Sequence, residues 1–238
     1  MYVPNYVPEP LEVPENVTLE PYPVRLAFLR RVTVLHAGSL CLVTALAFVP
    51  YPLAPLALLL GAVAFLLLLL DFVRVRFRGR PQEARVSVQI ALPFLLPTLA
   101  CCAHALVLED VPAWAILVGP AFALAYTLLC GRDYSFVGCG LLSLIGSSIL
   151  LAGIIVQTGM DPRQAAWALG LNTAYLLYFV YDLASLMSRR RRGEEAAAVV
   201  DLYRDVFNVF GYVPRVISHW QRHRIWQDVA PLLGDKRP

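Results

Sequence analysis

Apolar residues fill seven stretches of this chain, about 32–50, 53–73, 86–108, 112–130, 136–158, 164–187 and 196–218, and charges gather in the gaps between them. Each stretch is close to the roughly 20 apolar residues with which a helix crosses the hydrocarbon core of a bilayer. The first two are joined by Pro50-Tyr51-Pro52, the third and fourth by Glu109-Asp110-Val111-Pro112. Links this short demand antiparallel neighbours. The pattern predicts an all-α polytopic membrane protein: one seven-helix bundle over residues 25–219, a Pro/Glu-rich segment over 1–24 and a polar tail over 220–238. Prolines at 4, 8, 10, 14, 21 and 23 predict that the first segment is extended and disordered, and it lacks the pattern of a signal peptide.

Composition sharpens this picture. Hydrophobic residues make up 58% of the chain and charged residues 16%, against about 25% charged in a typical soluble domain. The net charge of +3 is small, and the arginines sit beside apolar runs, so nucleic-acid binding is not indicated. They read instead as topology signals. Arg25, Arg30 and Arg31 precede the first run; Arg74, Arg76, Arg78, Arg80 and Arg85 lie between the second and third; Arg132 lies between the fourth and fifth; Arg189 to Arg192 lie between the sixth and seventh. All fall on one side if the runs alternate, and the opposite loops contain only Arg163. That side is the cytosol, which places the N-terminus there and excludes a receptor of the G-protein-coupled kind. The end of the chain conflicts with this pattern, because a full seventh crossing would translocate Arg222, Arg224, Lys236 and Arg237. The last run either crosses or enters and returns. The cysteines, Cys41, Cys101, Cys102, Cys130 and Cys139, are odd in number and lie in or beside apolar runs, as small buried hydrophobes do.

Ionisable groups inside a span mark candidate sites. Asp182 ends the run Leu176-Leu177-Tyr178-Phe179-Val180-Tyr181. It lies about 9 Å from the basic loop, and Asp205 about 15 Å beyond that loop, at 1.5 Å per residue. The two carboxylates are therefore expected at similar depths in the cytosolic half. Asp201, Asp205, Asn208, Tyr212 and Arg215 follow steps of four, three, four and three, which puts them on one helical face, with Arg204 beside them. Such a stripe cannot face lipid, so the last helix must be central or line water. Asp201, nearest the loop, is expected to be solvated. Asp71 reads as a surface partner of Arg74, and His36 and His104 as packing residues.

The run Phe179-Val180-Tyr181-Asp182, a basic loop, and then Leu202-Tyr203-Arg204-Asp205-Val206-Phe207-Asn208-Val209-Phe210 resembles the Bax-inhibitor-motif (Lifeguard) family. The opening Arg25-Leu26-Ala27-Phe28-Leu29-Arg30-Arg31-Val32 and the segment Asp133-Tyr134-Ser135-Phe136 are similar to motifs of the same family. Arg74 falls where bacterial members carry a latch arginine, and Arg215 matches a late basic residue. Arg204, Asp201 and Pro214 depart from the pattern. Short members of the family also occur in large DNA viruses. The resemblance implies a pH-sensitive calcium leak at endoplasmic reticulum or Golgi membranes that suppresses cell death, with no cofactor. Asp182 and Asp205 would be its pH sensor, ion gate and transient calcium ligands, and Arg74 its latch. Two carboxylates close together in a low dielectric cannot both ionise easily and titrate as a pair. Calcium, which prefers oxygen ligands, would compete with the proton and the arginine. Implied partners are calcium, the lipid bilayer and apoptosis-regulating membrane proteins. Two other readings stand beside this one. An intramembrane aspartyl protease would use Tyr181-Asp182, but the second motif Gly-x-Gly-Asp is missing around Asp205. A non-conducting adaptor would bind partner membrane proteins to block death signalling or immune display.

Overall fold

A computed structural model of the chain describes residues 13–49, 54–78, 86–130 and 136–206. Among these residues there are seven α-helices and no strand: α1 (Tyr22–Ala47), α2 (Ala54–Arg78), α3 (Val86–Leu108), α4 (Val118–Leu129), α5 (Phe136–Thr158), α6 (Pro162–Arg189) and α7 (Glu195–Val206). Two short 3₁₀ helices, Val17–Leu19 and Ala113–Leu117, precede α1 and α4. The fold class is thus all-α, and α1, α3 and α5 are long and apolar enough to cross a membrane. By its internal contacts the chain divides at Leu202. The bundle is the unit Pro10–Leu202, and Tyr203–Val206, the last turn of α7, belong to the other unit.

Helix ends follow local chemistry. Pro162 occupies the first turn of α6, where its missing N–H is no loss. Asp161 before it accepts from the amides of Arg163 at 2.8 Å and Gln164 at 3.0 Å. Gly159, at φ +65°, supplies the left-handed residue that ends α5. α1 begins ten residues before its apolar run. Pro23 sits in its first turn, and some of the polar residues that follow find partners on other helices. Arg30 is the clearest case. Its guanidinium donates to the carbonyls of Thr127 (2.6 Å), Leu128 (3.0 Å) and Cys130 (2.9 Å), which close the C-terminal end of α4. Those carbonyls have no acceptor role within their own helix, and the dipole there favours a cation. Arg30→Met is therefore expected to destabilise the protein by about 2 kcal/mol in a detergent melt. Arg31, 66% exposed and 3.4 Å from Glu195, should cost less than about 0.5 kcal/mol when changed to Met. Equal losses would mean that Arg30 acts only as surface charge.

Helices pack in the order α2–α3–α1–α4–α5–α6, with α4 also against α6. Gly146 on α5 lets the Phe122 ring of α4 lie against its backbone, where any Cβ would collide with that ring. The outward faces carry large apolar side chains, among them Leu58, Phe65, Ile149 and Val156, as lipid-facing helices do. The inside is where the last helix sits. Ala197, Ala198, Val199, Val200, Asp201 and Leu202 are consecutive and all buried. At 100° per residue, six such residues point in every direction around the axis. α7 is central over this stretch, as its polar stripe predicted, and Ala197 and Val200 pack on Val88 and Ala91 of α3.

The expectation of disorder over 1–24 is corrected for 13–24. Val13 and Val17 are buried, and their amides donate to the carbonyls of Ser188 (3.1 Å) and Arg190 (2.9 Å). Arg191 Nε donates to the Pro14 carbonyl at 3.0 Å, and the buried Asn16 amide bonds back to the Val13 carbonyl at 2.9 Å. Prolines forbid a helix here but not a strap. This one satisfies carbonyls that the end of α6 leaves open.

Candidate functional site

Polar groups along α6 recur on one face. Asn172, Tyr175, Asp182 and Arg189 are separated by three, seven and seven residues, close to whole turns. His36 of α1 lies along this line. Its ring stacks on Tyr175 (centroids 6.0 Å) and Phe179 (5.1 Å), and its Nε2 is 2.7 Å from the Tyr175 hydroxyl. His104 lies elsewhere, with Nδ1 2.6 Å from the Ala47 carbonyl at the end of α1.

At the C-terminal end of α6 two carboxylates and two arginines meet, three of the four buried and Arg189 partly so. Asp182 is 1% exposed, and Arg189 Nη2 donates to its Oδ1 at 2.6 Å. Helical side chains lean toward the N-terminus, so an arginine two turns later is placed to reach back onto an aspartate. The Tyr178 hydroxyl lies 3.4 Å from the other Asp182 oxygen and also bonds the Leu202 carbonyl of α7. Arg190, the next residue, has extended backbone and turns the opposite way. Its Nε (2.7 Å) and Nη2 (2.6 Å) both meet Oδ2 of Asp201, also 1% exposed. Gly193, at φ +90°, makes the turn that brings α7 back, and the Glu194 carboxylate accepts from the Arg191 amide at 3.0 Å. Two consecutive arginines thus hold two carboxylates on two helices, and the four charges sum to zero.

The expected site residues are distributed as follows. Asp182 and Asp201 lie in this cluster. The expectation that Asp201 is solvated is corrected: it is 1% exposed and held by the buried Arg190. Arg204 and Asp205 lie on α7, with Asp205 one turn past Asp201. The side chains of Asp205 and Arg74, like Asn208 and Arg215, lie outside the described residues, so the dyad and the Arg74 latch do too. On Asp182 the structure places Arg189. Sequence reasoning had read Arg189 and Arg190 as topology signals alone. The seven-residue spacing from Asp182 to Arg189 was the signal available. All five cysteines are free thiols. Among the described residues, no group of three or more His, Cys, Asp or Glu is placed to hold a metal. A calcium ion at Asp182 or Asp201 would therefore have to displace an arginine. No family model, curated protein or solved structure matches the chain.

Proposed function

We propose that the chain is a seven-span membrane protein whose α6–α7 charge cluster gates a pH-sensitive calcium leak, with the N-terminus in the cytosol. The observation that carries this reading is the pair of carboxylates, Asp182 and Asp201, buried at one end of an apolar bundle under arginine clamps. Ionisable groups at such depth are costly and serve ion or proton pathways. Opening then consists of the exchange of an arginine for a proton or a cation on a carboxylate. The motif resemblance extends the cluster to Asp205 and Arg74, and it places the leak in endoplasmic reticulum or Golgi membranes as a suppressor of cell death. The test is calcium efflux from liposomes containing the purified protein, measured across a pH series. Liposomes that hold calcium as protein-free ones do would remove this reading.

One observation favours the non-conducting adaptor. A charge-balanced, largely buried cluster is also what a static staple between two helices looks like. An adaptor keeps partner binding when Asp182 is neutralised and shows no flux at any pH.

Topology has its own test. Asn16-Val17-Thr18 is a glycosylation sequon. With the N-terminus cytosolic, Asn16 stays unmodified in a eukaryotic membrane preparation, while a sequon-bearing insertion between Glu109 and Asp110 is glycosylated. An endoglycosidase-sensitive mass shift that depends on Asn16 would reverse the orientation.

A further inference from the structure

Halfway along α5, Ser147 meets Asn172 of α6, and both are fully buried. The Asn172 amide nitrogen donates to Ser147 Oγ at 2.9 Å. Ser147 Oγ in turn donates to the Leu144 carbonyl at 3.2 Å, so its single proton is engaged. Among the described residues, neither Asn172 Oδ1 nor the hydroxyl of Ser143, also buried, finds a hydrogen-bond partner. Two buried polar groups left unpaired on adjacent turns are a costly arrangement, and lipid chains offer no donor or acceptor.

The helix register brings the two groups to neighbouring levels. Ser143 is one turn from Ser147 on the same face of α5, about 6 Å along the axis. α5 and α6 run antiparallel here, with Gly140 opposite Val180. A step from Ser147 to Ser143 therefore moves from Asn172 toward Leu176. Asn172 Oδ1 is turned the same way, because a Cβ on Gly119 of α4 would lie 3.0 Å from both Oδ1 and Leu176 Cβ. We propose that a water molecule is bound between Asn172 and Ser143, forming a hydrated site in the middle of the bundle. It donates to Oδ1 and accepts from the Ser143 hydroxyl, which satisfies both. Exchanging the oxygen and nitrogen of the amide leaves one amide atom equally unpaired, and water serves that arrangement as well. A metal cation serves only one of the two and finds no carboxylate here.

The site stands without the leak; only its use rests on that reading. If α6 lines a pathway, the water is a second polar level about 15 Å from Asp182, ten residues along the helix. The buried side chains of Leu176 and Phe179 separate the two levels. The test is a crystal structure of the full chain from a lipidic phase, at a resolution that reveals ordered water, joined to a melting cycle in lipid nanodiscs. Expected are a density peak within hydrogen-bond distance of Asn172 and Ser143, and a fall of a few degrees for Ser143→Ala and for Asn172→Leu. The double variant should melt no lower than the worse single one, since both changes break the same bridge. A dry contact overturns the proposal. So do additive shifts, a rise in melting temperature for Asn172→Leu, or a peak that gains anomalous signal in rubidium chloride. If Asn172→Leu fails to fold, the wild-type density and Ser143→Ala still decide. Liposomes without calcium flux would leave this result untouched.

Discussion

Replacing Arg190 by alanine is expected to cost about 3–5 kcal/mol of stability, because it strips the buried Asp201 of its guanidinium. Both guanidinium nitrogens that reach Asp201 meet the same carboxylate oxygen, and the arginine is itself largely buried. Neither member of the pair has water to return to while α7 stays in place. The loss reflects the stranded charge rather than the value of the pair. Removing both charges together, as Arg190→Met with Asp201→Leu, should recover most of it or exceed the wild type. Equilibrium unfolding in mild detergent measures both. An Arg190→Ala loss below about 1 kcal/mol would match a solvated surface pair and would mean that water reaches Asp201.

Asp182→Asn is expected to remove most of the pH dependence of calcium efflux. In the proposed gate, a proton on the carboxylate takes the place of Arg189. Asparagine holds the position uncharged at every pH. Its efflux across the series should therefore stay at the wild-type value of the acid side. Asp205→Asn carries the same expectation from the motif resemblance, and the double variant should be little worse than either, as for residues acting as one unit. Glu109→Gln, in the exposed loop after α3, is the control and should keep the wild-type profile. If Asp182→Asn keeps that profile as well, the cluster is a staple between α6 and α7 and does not sense pH.

The architecture was largely legible in the residues. The third and fifth apolar runs coincide with α3 and α5, because charged segments bound both sharply. The run over 112–130 concealed a change of geometry. Pro112 and Pro120 flank a 3₁₀ turn over Ala113–Leu117 before α4 proper. The start of α1 was hidden because Arg25, Arg30 and Arg31 interrupt apolarity without interrupting helix. Only packing against α4 reveals that Arg30 belongs inside. The site was half legible. Asp182 stood out against its apolar run, but Asp201 was misjudged. Counting residues from a loop measures distance from that loop and not exposure, and here Arg190 at the loop's start holds Asp201 out of solvent. The partners Arg189, Arg190 and Tyr178 carried no mark of their own, since reach across two turns depends on side-chain direction and on the turn at Gly193.

The strap over Val13–Leu19 also sets an order in time. Its bond from Arg191 to Pro14 joins residues 177 positions apart. Contacts of that span close last, because the chain between must first be in place. As the protein is made, α1 to α6 must emerge before Val13 and Val17 find the carbonyls of Ser188 and Arg190. The strap, made before all seven helices, is then among the last elements to dock, and until it does, the end of α6 that bears the two clamping arginines stays open.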